Sequence, residues 1–394
     1  MDPVRNPYAP GAGNPPPELA GRAGILEDAE IVFQRTAQGR PAQSMILVGL
    51  RGVGKTVLLN KLSDAAEAHA FRTHMIEAHE AKRLPQLLVP GLRTMLFRLS
   101  TVEGARAAAN RALRVLKSFV NGVKFKYGDI EFSLGVDAET GAADSGDLEA
   151  DLPALFVAVG EAARAALSPA LIVIDEMQYL SEAEFSALIM AVHRTNQLGL
   201  PLLLLGAGLP QILGLAGESK SYAERLFTYP RIGALGAGDA RDAIVTPAAK
   251  EGVQIEPEAV AEIVRITEGY PYFIQQWAFD AWNHATGDVI KRRDVEAATR
   301  TSIRSLDENF FRVRFDRCTP SEKRYMRALA EFGPGAHRSG DIAEMLGLKT
   351  TSVGPTRGKL IRKGMIYSPQ HGDTAFTVPL FDAYMRRAMP ELER

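Results

Sequence analysis

The stretch Gly49-Leu50-Arg51-Gly52-Val53-Gly54-Lys55-Thr56 decides the fold, because it fits the pattern G-x-x-x-x-G-K-[ST] at every position. A short apolar run, Ser44–Val48, precedes it, and a segment with helical spacing, Val57–Ala70, follows it. Glycines let successive backbone N–H groups turn toward one phosphate group, and the N-terminus of the following helix adds its positive end. The sequence therefore predicts a phosphate-binding loop between a strand and a helix.

The pattern also assigns roles to its polar side chains. The ammonium group of Lys55 is expected on the β- and γ-phosphate oxygens, as a catalytic residue, and the hydroxyl of Thr56 on Mg²⁺. The residues predicted to bind the nucleotide are Gly49, Leu50, Arg51, Gly52, Val53, Gly54, Lys55 and Thr56. ATP and Mg²⁺ are therefore the expected cofactors.

A second apolar run ends in two acids. Leu171–Ile174 is continuously aliphatic, as expected of a strand buried on both faces, and Asp175 and Glu176 follow it directly. Asp175 is predicted to hold Mg²⁺, and Glu176 to polarise the attacking water as the catalytic base. Two solvated acids after a strand are common, so it is the phosphate loop that favours the catalytic interpretation.

Strands alternate with helices through the first half of the chain. A third aliphatic run, Leu202–Leu205, is followed by Gly206-Ala207-Gly208. The alternation predicts an α/β fold with a parallel sheet covered on both faces, the P-loop NTPase architecture. Residues 101–150 are predicted to be an insertion that contains a β-hairpin at Lys124–Val136. Asp147 is predicted to cap a helix that runs to about Leu167.

Composition excludes several classes of protein. The formal net charge is −1, so any surface that binds nucleic acid must be local. Cys318 is the single cysteine, which rules out an internal disulfide. No apolar run approaches the length of a membrane span and no signal-peptide pattern is visible, so a cytoplasmic protein without a membrane partner is expected.

Together these motifs resemble the AAA+ ATPases, in particular the branch with the origin-recognition ATPases and the STAND-type switch ATPases. The resemblance covers about residues 18–290 and continues into the C-terminal segment. It implies that Gly21 and Arg22 lie near the adenine and that Pro271 packs on the base. It also implies that Arg225 reaches the nucleotide of a neighbouring subunit in a homo-oligomer, or senses the nucleotide within its own chain. A surface arginine paired with an acid is the alternative for Arg225.

Two departures from the family pattern affect the expected rate of hydrolysis. The third aliphatic run ends in glycines where many AAA+ proteins carry a polar sensor residue. The helix after Pro271 begins Tyr-Phe-Ile-Gln-Gln, without an arginine directed at the phosphates. Both departures favour a slow nucleotide-dependent switch over a motor.

The C-terminal segment has the pattern of a winged helix-turn-helix. Ser321–Glu331, Ser339–Leu346 and about Thr351–Lys363 have helical spacing, and Met365–Ser368 and Thr374–Val378 read as a β-hairpin. Basic side chains on the third helix and just before it are the predicted contacts to double-stranded DNA: Lys349, Arg357, Lys359, Arg362 and Lys363. Winged helices also dock proteins, so a protein partner is the alternative.

The predicted domains follow from these boundaries. They are a Pro/Gly-rich arm at 1–18, a P-loop ATPase core at 19–235, a helical lid at 236–300, a linker at 301–318 and a winged helix at 319–394. The arm is expected to be either disordered or a strap on the first domain. The function predicted is an ATP-dependent switch that binds duplex DNA, with a signalling or loader switch that docks a protein as the alternative.

Overall fold

A computed structural model describes residues 1–11, 13–123, 137–214, 223–370 and 372–392. The chain divides into two compact units. One contains Ala23–Gly49 and Lys55–Arg231, and is called the sheet unit here. The other contains Met1–Arg22, Leu50–Gly54 and Ile232–Arg394, and is called the helical unit. The hairpin predicted at Lys124–Val136 lies outside the described residues.

The sheet unit is built on parallel strands in the order β2-β3-β4-β1-β5. Its strands are β1 (Ser44–Gly49), β2 (Arg72–Glu77), β3 (Ala170–Asp175), β4 (Leu202–Gly208) and β5 (Phe227–Thr228). Every residue of β1, β3 and β4 is buried, which explains why the sequence shows them as continuous apolar runs. The predicted parallel sheet is confirmed.

Helices surround this sheet. They are α1 (Ala23–Ala37), α2 (Lys55–Ala68), α3 (Leu84–Ser100), α4 (Arg106–Gly122), α5 (Leu148–Ala165), α6 (Glu182–Gln197) and α7 (Ala223–Leu226). The apolar face of α4, with Leu113, Leu116 and Phe119, is buried in the same core as the strands, so this part of the predicted insertion belongs to the domain core. Asp147 caps α5 as predicted, by accepting a hydrogen bond from the Glu149 amide at 3.1 Å.

The largest segment of the helical unit starts at Ile232, the second residue of the two-residue strand β6 (Arg231–Ile232). Its lid elements are α8 (Ala237–Lys250), β7 (Gln254–Ile255), α9 (Pro257–Thr267), α10 (Pro271–His284), β8 (Val289–Ile290) and α11 (Arg292–Leu306). The aromatic residues that open α10 form core, since Phe273 and Trp277 are fully buried. This agrees with their helical spacing in the sequence.

The N-terminal arm is a strap on the lid helices of the helical unit. Tyr8 is 2% exposed, and its hydroxyl donates a hydrogen bond to the carbonyl oxygen of Ile244 on α8. Asn6 donates to the carbonyl oxygen of Phe279 on α10 at 3.0 Å, and Trp282 donates to the carbonyl oxygen of Asp2 at 3.0 Å. The strap that we expected on the first domain is therefore found on the lid.

The predicted linker is helical and packed. A π-helical turn, Asp307–Phe311, continues α11 into α12 (Arg312–Phe315). Phe311 packs edge-on against Phe381, with ring centroids 5.5 Å apart, and Arg387 makes two hydrogen bonds to the Asp307 carboxylate at 2.8 and 2.6 Å. These contacts hold the linker against the C-terminal elements.

The C-terminal elements lie where the sequence predicts them. They are α13 (Pro320–Glu331), β9 (His337–Arg338), α14 (Ser339–Met345), α15 (Thr350–Arg362), β10 (Ile366–Tyr367), β11 (Asp373–Phe376) and α16 (Phe381–Ala388). The three strands form an antiparallel sheet in the order β10-β11-β9. Thr319 caps α13, and the Glu322 carboxylate accepts from the Thr319 amide at 2.7 Å, which completes a capping box.

Candidate functional site

The phosphate loop connects the end of β1 to the start of α2. Gly52 and Gly54 have φ angles of 81° and 91°, in the left-handed region where glycine is favoured. Lys55 is the first residue of α2 and is buried, and Thr56 follows it in the first turn. The strand, loop and helix are therefore arranged as the sequence predicts, with the helix N-terminus at the end of the loop.

Three carbonyl groups of the loop are held within the helical unit. The Tyr270 hydroxyl donates to the carbonyl oxygen of Arg51, and the Tyr272 amide donates to that of Gly52 at 3.3 Å. Arg22 is buried and donates to the carbonyl oxygen of Val53 at 3.3 Å. Because their carbonyl oxygens are fixed, these peptide groups have a set orientation, which is what a loop that presents its N–H groups to a phosphate requires.

The tip of the loop also has to fit against the lid. A Cβ atom on Gly52 would lie 3.1 Å from the ring of Tyr270 and 3.3 Å from Cβ of Tyr272, so a larger residue would displace the loop. Pro271, which the resemblance placed on the base, stands between these two tyrosines as the first residue of α10. Sequence reasoning assigned the proline and missed both tyrosines, because their aromatic character alone indicated lid core.

An arginine from the linker lies near the loop in the helical unit. Burial, together with the positive charge of Arg51, lowers the pKa of Arg314 to about 10. The Arg314 guanidinium stacks on the Phe310 ring, 3.9 Å from its centroid, and donates to the Phe310 carbonyl oxygen at 2.5 Å. Cation–π contact and this hydrogen bond offset the cost of burying the charge.

Asp175 ends β3 in the sheet unit, beside the start of α2. The Thr56 hydroxyl donates to its carboxylate at 2.5 Å. Burial raises the pKa of Asp175, while the Thr56 hydrogen bond and the charge of Lys55 act in the opposite direction. A hydroxyl and a carboxylate at this distance are oxygen ligands of the type that Mg²⁺ prefers, so the donor set fits the metal predicted from the sequence.

Glu176 follows with an unusual backbone conformation. Its φ angle is 53°, and its carboxylate accepts a hydrogen bond from the side-chain amide of Gln178. The side-chain carbonyl of Gln178 in turn accepts from the Leu209 amide at 3.0 Å, just beyond the end of β4. No sequence pattern singles out Gln178, because its contacts to Glu176 and to the Leu209 amide depend on the fold.

Packing explains why position 206, near the end of β4, is a glycine. A Cβ atom on Gly206 would lie 2.2 Å from Sδ of Met177, in the turn that follows Glu176. The thioether therefore occupies the volume in which a side chain at position 206 would lie. The missing polar residue noted in the sequence is explained by this contact.

Comparison with known proteins agrees with this geometry. The AAA ATPase domain family matches residues 18–205, which contain the phosphate loop, Asp175 and Glu176. The chain carries an AAA ATPase domain. A second family, described as a domain of unknown function, matches residues 308–385, beyond the AAA ATPase domain. Among curated proteins, none matches the sequence significantly.

Solved structures share the fold across nearly the whole chain. The Orc1 protein of Aeropyrum pernix, solved in complex with DNA, is 15% identical, with a TM-score of 0.50 over 97% of this chain and 96% of that chain. The Walker-type ATPase of Pyrococcus abyssi is 13% identical, with a TM-score of 0.58 over 93% of this chain and 96% of that chain. At this identity the likeness establishes the fold of the AAA ATPase domain and its helical extension.

Arg225 lies near the amino end of β1, within the sheet unit. It stands two residues before Phe227, which pairs with Ser44 at the amino end of β1. The loop begins at Gly49, five residues further on, or about 17 Å at a rise of 3.3 Å per residue. Gln43 donates to the Arg225 carbonyl oxygen at 2.7 Å. The two roles considered for Arg225, sensing the nucleotide within its own chain and reaching the nucleotide of a neighbouring subunit, both stay predictions.

The five basic residues predicted to contact DNA fall into two groups. Arg357 donates to Thr374 Oγ1 at 2.9 Å and to the Asp373 carbonyl oxygen at 2.8 Å, so it ties α15 to β11. Lys363 pairs with the buried Glu322 carboxylate at 2.7 Å. The exposed side chains are those of Lys349, Lys359 and Arg362. Sequence alone could not separate the two groups, because the partners lie 16 to 41 residues away.

Proposed function

We propose that the protein is a slow ATPase that uses nucleotide binding to switch its affinity for duplex DNA. The observation that carries this proposal is the joining of the Thr56 hydroxyl and the Asp175 carboxylate at 2.5 Å, beside the buried Lys55. This is the arrangement that a nucleoside triphosphate with Mg²⁺ requires at the end of a phosphate loop. The match of residues 18–205 to the AAA ATPase domain supports the same chemistry.

Each residue of the site then has a defined task. Bound Mg²⁺ would neutralise phosphate charge, and Thr56 and Asp175 are the side chains that would hold it. Lys55 would bind the β- and γ-phosphate oxygens, and Glu176 would accept a proton from the attacking water. The glycine-rich end of β4 offers no polar side chain at positions 206–208 to assist, which supports slow hydrolysis.

The DNA-binding part of the proposal rests on the C-terminal elements. Three helices and an antiparallel three-stranded sheet support a winged helix, and Lys349, Lys359 and Arg362 are exposed on α15 or just before it. The Aeropyrum pernix protein that shares this fold was solved in complex with DNA. A basic helix of this kind suits contact with the phosphate backbone.

Fluorescence anisotropy with a labelled random duplex tests the proposal directly. The full chain should bind the duplex with an affinity that differs about 5- to 150-fold between the ATP and ADP states, the size expected of a coupling free energy of 1–3 kcal/mol. Glu176→Gln, which keeps ATP uncleaved, should hold the protein in the ATP-state affinity. Equal affinity in both states would contradict the switch, and no binding at low salt would contradict DNA as the partner.

A protein partner is the second candidate, and one observation favours it. Because Arg357 and Lys363 serve the fold, the exposed positive charge on this surface is smaller than the sequence suggests. In that case the isolated chain fails to bind duplex at low salt, while ATP still changes the exposure of the C-terminal elements to hydrogen exchange.

A further inference from the structure

The catalytic carboxylate predicted in the sheet unit is held by a neighbour that has no assigned role. Gln178 donates its side-chain amide to the Glu176 carboxylate and accepts from the Leu209 amide at 3.0 Å with its carbonyl oxygen. Both ends of one side chain are therefore used, one on Glu176 and one on the backbone at the end of β4. A glutamine with both ends bonded has a fixed orientation, since its donor and acceptor cannot be exchanged.

The surroundings make this orientation specific. Glu176 has a φ angle of 53°, so its side chain leaves the backbone in a direction that regular β3 geometry does not give. A Cβ atom on Gly208 would lie 3.1 Å from the Gln178 carbonyl oxygen, closer than ordinary contact. Gly208, the last residue of β4, therefore leaves room for Gln178, whose side-chain carbonyl oxygen accepts from the Leu209 amide.

We propose that Gln178 is a positioning residue for Glu176, which fixes the carboxylate for water activation and ties it to the end of β4. This inference rests on the proposed role of Glu176 as the base that accepts the water proton. A base must lie within hydrogen-bond reach of the proton that it takes, so a carboxylate free to rotate spends less time in a productive position. In this proposal Gln178 acts through Glu176, to which its side-chain amide donates.

The chemistry requires an amide at position 178. In Gln178→Leu the shape is nearly kept, but both hydrogen bonds are lost. In Gln178→Glu the acceptor for the Leu209 amide remains, while the donor to Glu176 is replaced by a second carboxylate. Two carboxylates at hydrogen-bonding distance share one proton, because they cannot both ionise without strong repulsion. The variant therefore loses the donor that orients the Glu176 carboxylate but keeps the acceptor for the Leu209 amide.

Steady-state ATPase kinetics on the full chain test the inference. Gln178→Leu should lower kcat about tenfold or more, with KM for ATP within about twofold, because positioning of the base affects the chemical step. Gln178→Glu should lower kcat by a similar factor, because it also lacks the donor to the Glu176 carboxylate. Gln34→Leu, the same change on the exposed face of α1, is the matched control and should leave kcat unchanged.

The outcomes separate this inference from the proposed function. Unchanged or increased kcat in Gln178→Leu, with Glu176→Gln inactive, would overturn the positioning role alone. Equal hydrolysis by wild type and Glu176→Gln would overturn the base assignment and the inference together. If Gln178→Leu loses stability in thermal unfolding, Gln178→Glu, which keeps the acceptor for the Leu209 amide, decides the matter, and an unchanged kcat there refutes the inference.

Discussion

Lys359→Ala should weaken DNA binding in a way that depends on salt. Lys359 is exposed on α15, next to Arg362, and Lys349 is exposed just before the helix. If these three side chains each neutralise one phosphate, log K falls against log salt with a slope of about −2.7, from −0.9 per phosphate. Removal of one contact should leave a slope of about −1.8.

The assay is anisotropy of a labelled duplex between 50 and 200 mM salt. Over this fourfold range the wild-type affinity should fall about 40-fold and that of Lys359→Ala about 12-fold. The loss should be equal for unrelated sequences, since a phosphate contact carries no base information. A slope that is unchanged in Lys359→Ala would show that α15 does not lie on the phosphate backbone.

Lys363→Met is the matched control on the same helix end. Lys363 pairs with Glu322, whose side chain is 1% exposed, so the variant leaves a buried carboxylate without its cation and should cost about 1–3 kcal/mol of stability. Burial alone raises the pKa of Glu322, but hydrogen bonds from Lys363 and Thr319 together lower it. The variant should therefore melt earlier while its salt slope stays at the wild-type value.

Three further predictions concern the ATPase site and its support. Burial raises the pKa of Asp175, so without bound metal the free energy of unfolding falls as the pH rises through that pKa. In calorimetry at pH 7 without Mg²⁺, Asp175→Asn should therefore melt at a higher temperature than wild type. Mg²⁺-ATP should raise the melting temperature of this variant less than that of wild type. Arg225→Ala mixed with Glu176→Gln should restore ATPase activity if the site is shared between subunits, and light scattering of a monomer under ATP would contradict this. In denaturant unfolding, Tyr8→Ala should lower the free energy of unfolding by about 3–5 kcal/mol, because Tyr8 is 2% exposed and the alanine leaves a cavity. Tyr8→Phe leaves no cavity and should lower it by about 1 kcal/mol, through the lost hydrogen bond.

The fold was largely predictable because its signals are local. Ser44–Val48, Leu171–Ile174 and Leu202–Leu205 are apolar runs that only a strand buried on both faces explains, and the structure confirms all three. The start of α13 was also predictable, since Thr319 and Glu322 form a capping box whose partners are three residues apart.

The arm and the linker were not predictable in the same way. Pro3, Pro7 and Pro10 indicate an extended segment, but the surface that it covers is set by Tyr8 reaching Ile244, 236 residues away. The polar segment at 301–318 reads as a linker, although Phe311 is 1% exposed and buried against C-terminal residues. Such contacts depend on tertiary packing, which local patterns do not contain.

The residues of the candidate site divide in the same way, into those with a local sequence signal and those that depend on tertiary contacts. The phosphate loop, Asp175 and Glu176 were predicted as site residues from spacing, because each follows a strand directly. Tyr270 was missed as a partner of the Arg51 carbonyl oxygen, which is 219 residues distant in the chain. The structural roles of Arg357 and Lys363 were also missed. The sequence does not distinguish a basic residue that pairs within its own protein from one that contacts DNA.

The central claim is that Gly49–Thr56 and Asp175 bind Mg²⁺-ATP. Titration calorimetry of ATP with Mg²⁺ into wild type and Lys55→Met measures this most directly, because methionine keeps the buried stem of the lysine and removes only its charge. A hydrogen bond between charged groups contributes about 1.5–3 kcal/mol, so the dissociation constant should rise about 10- to 150-fold. Equal affinity of the two proteins for Mg²⁺-ATP would contradict the account.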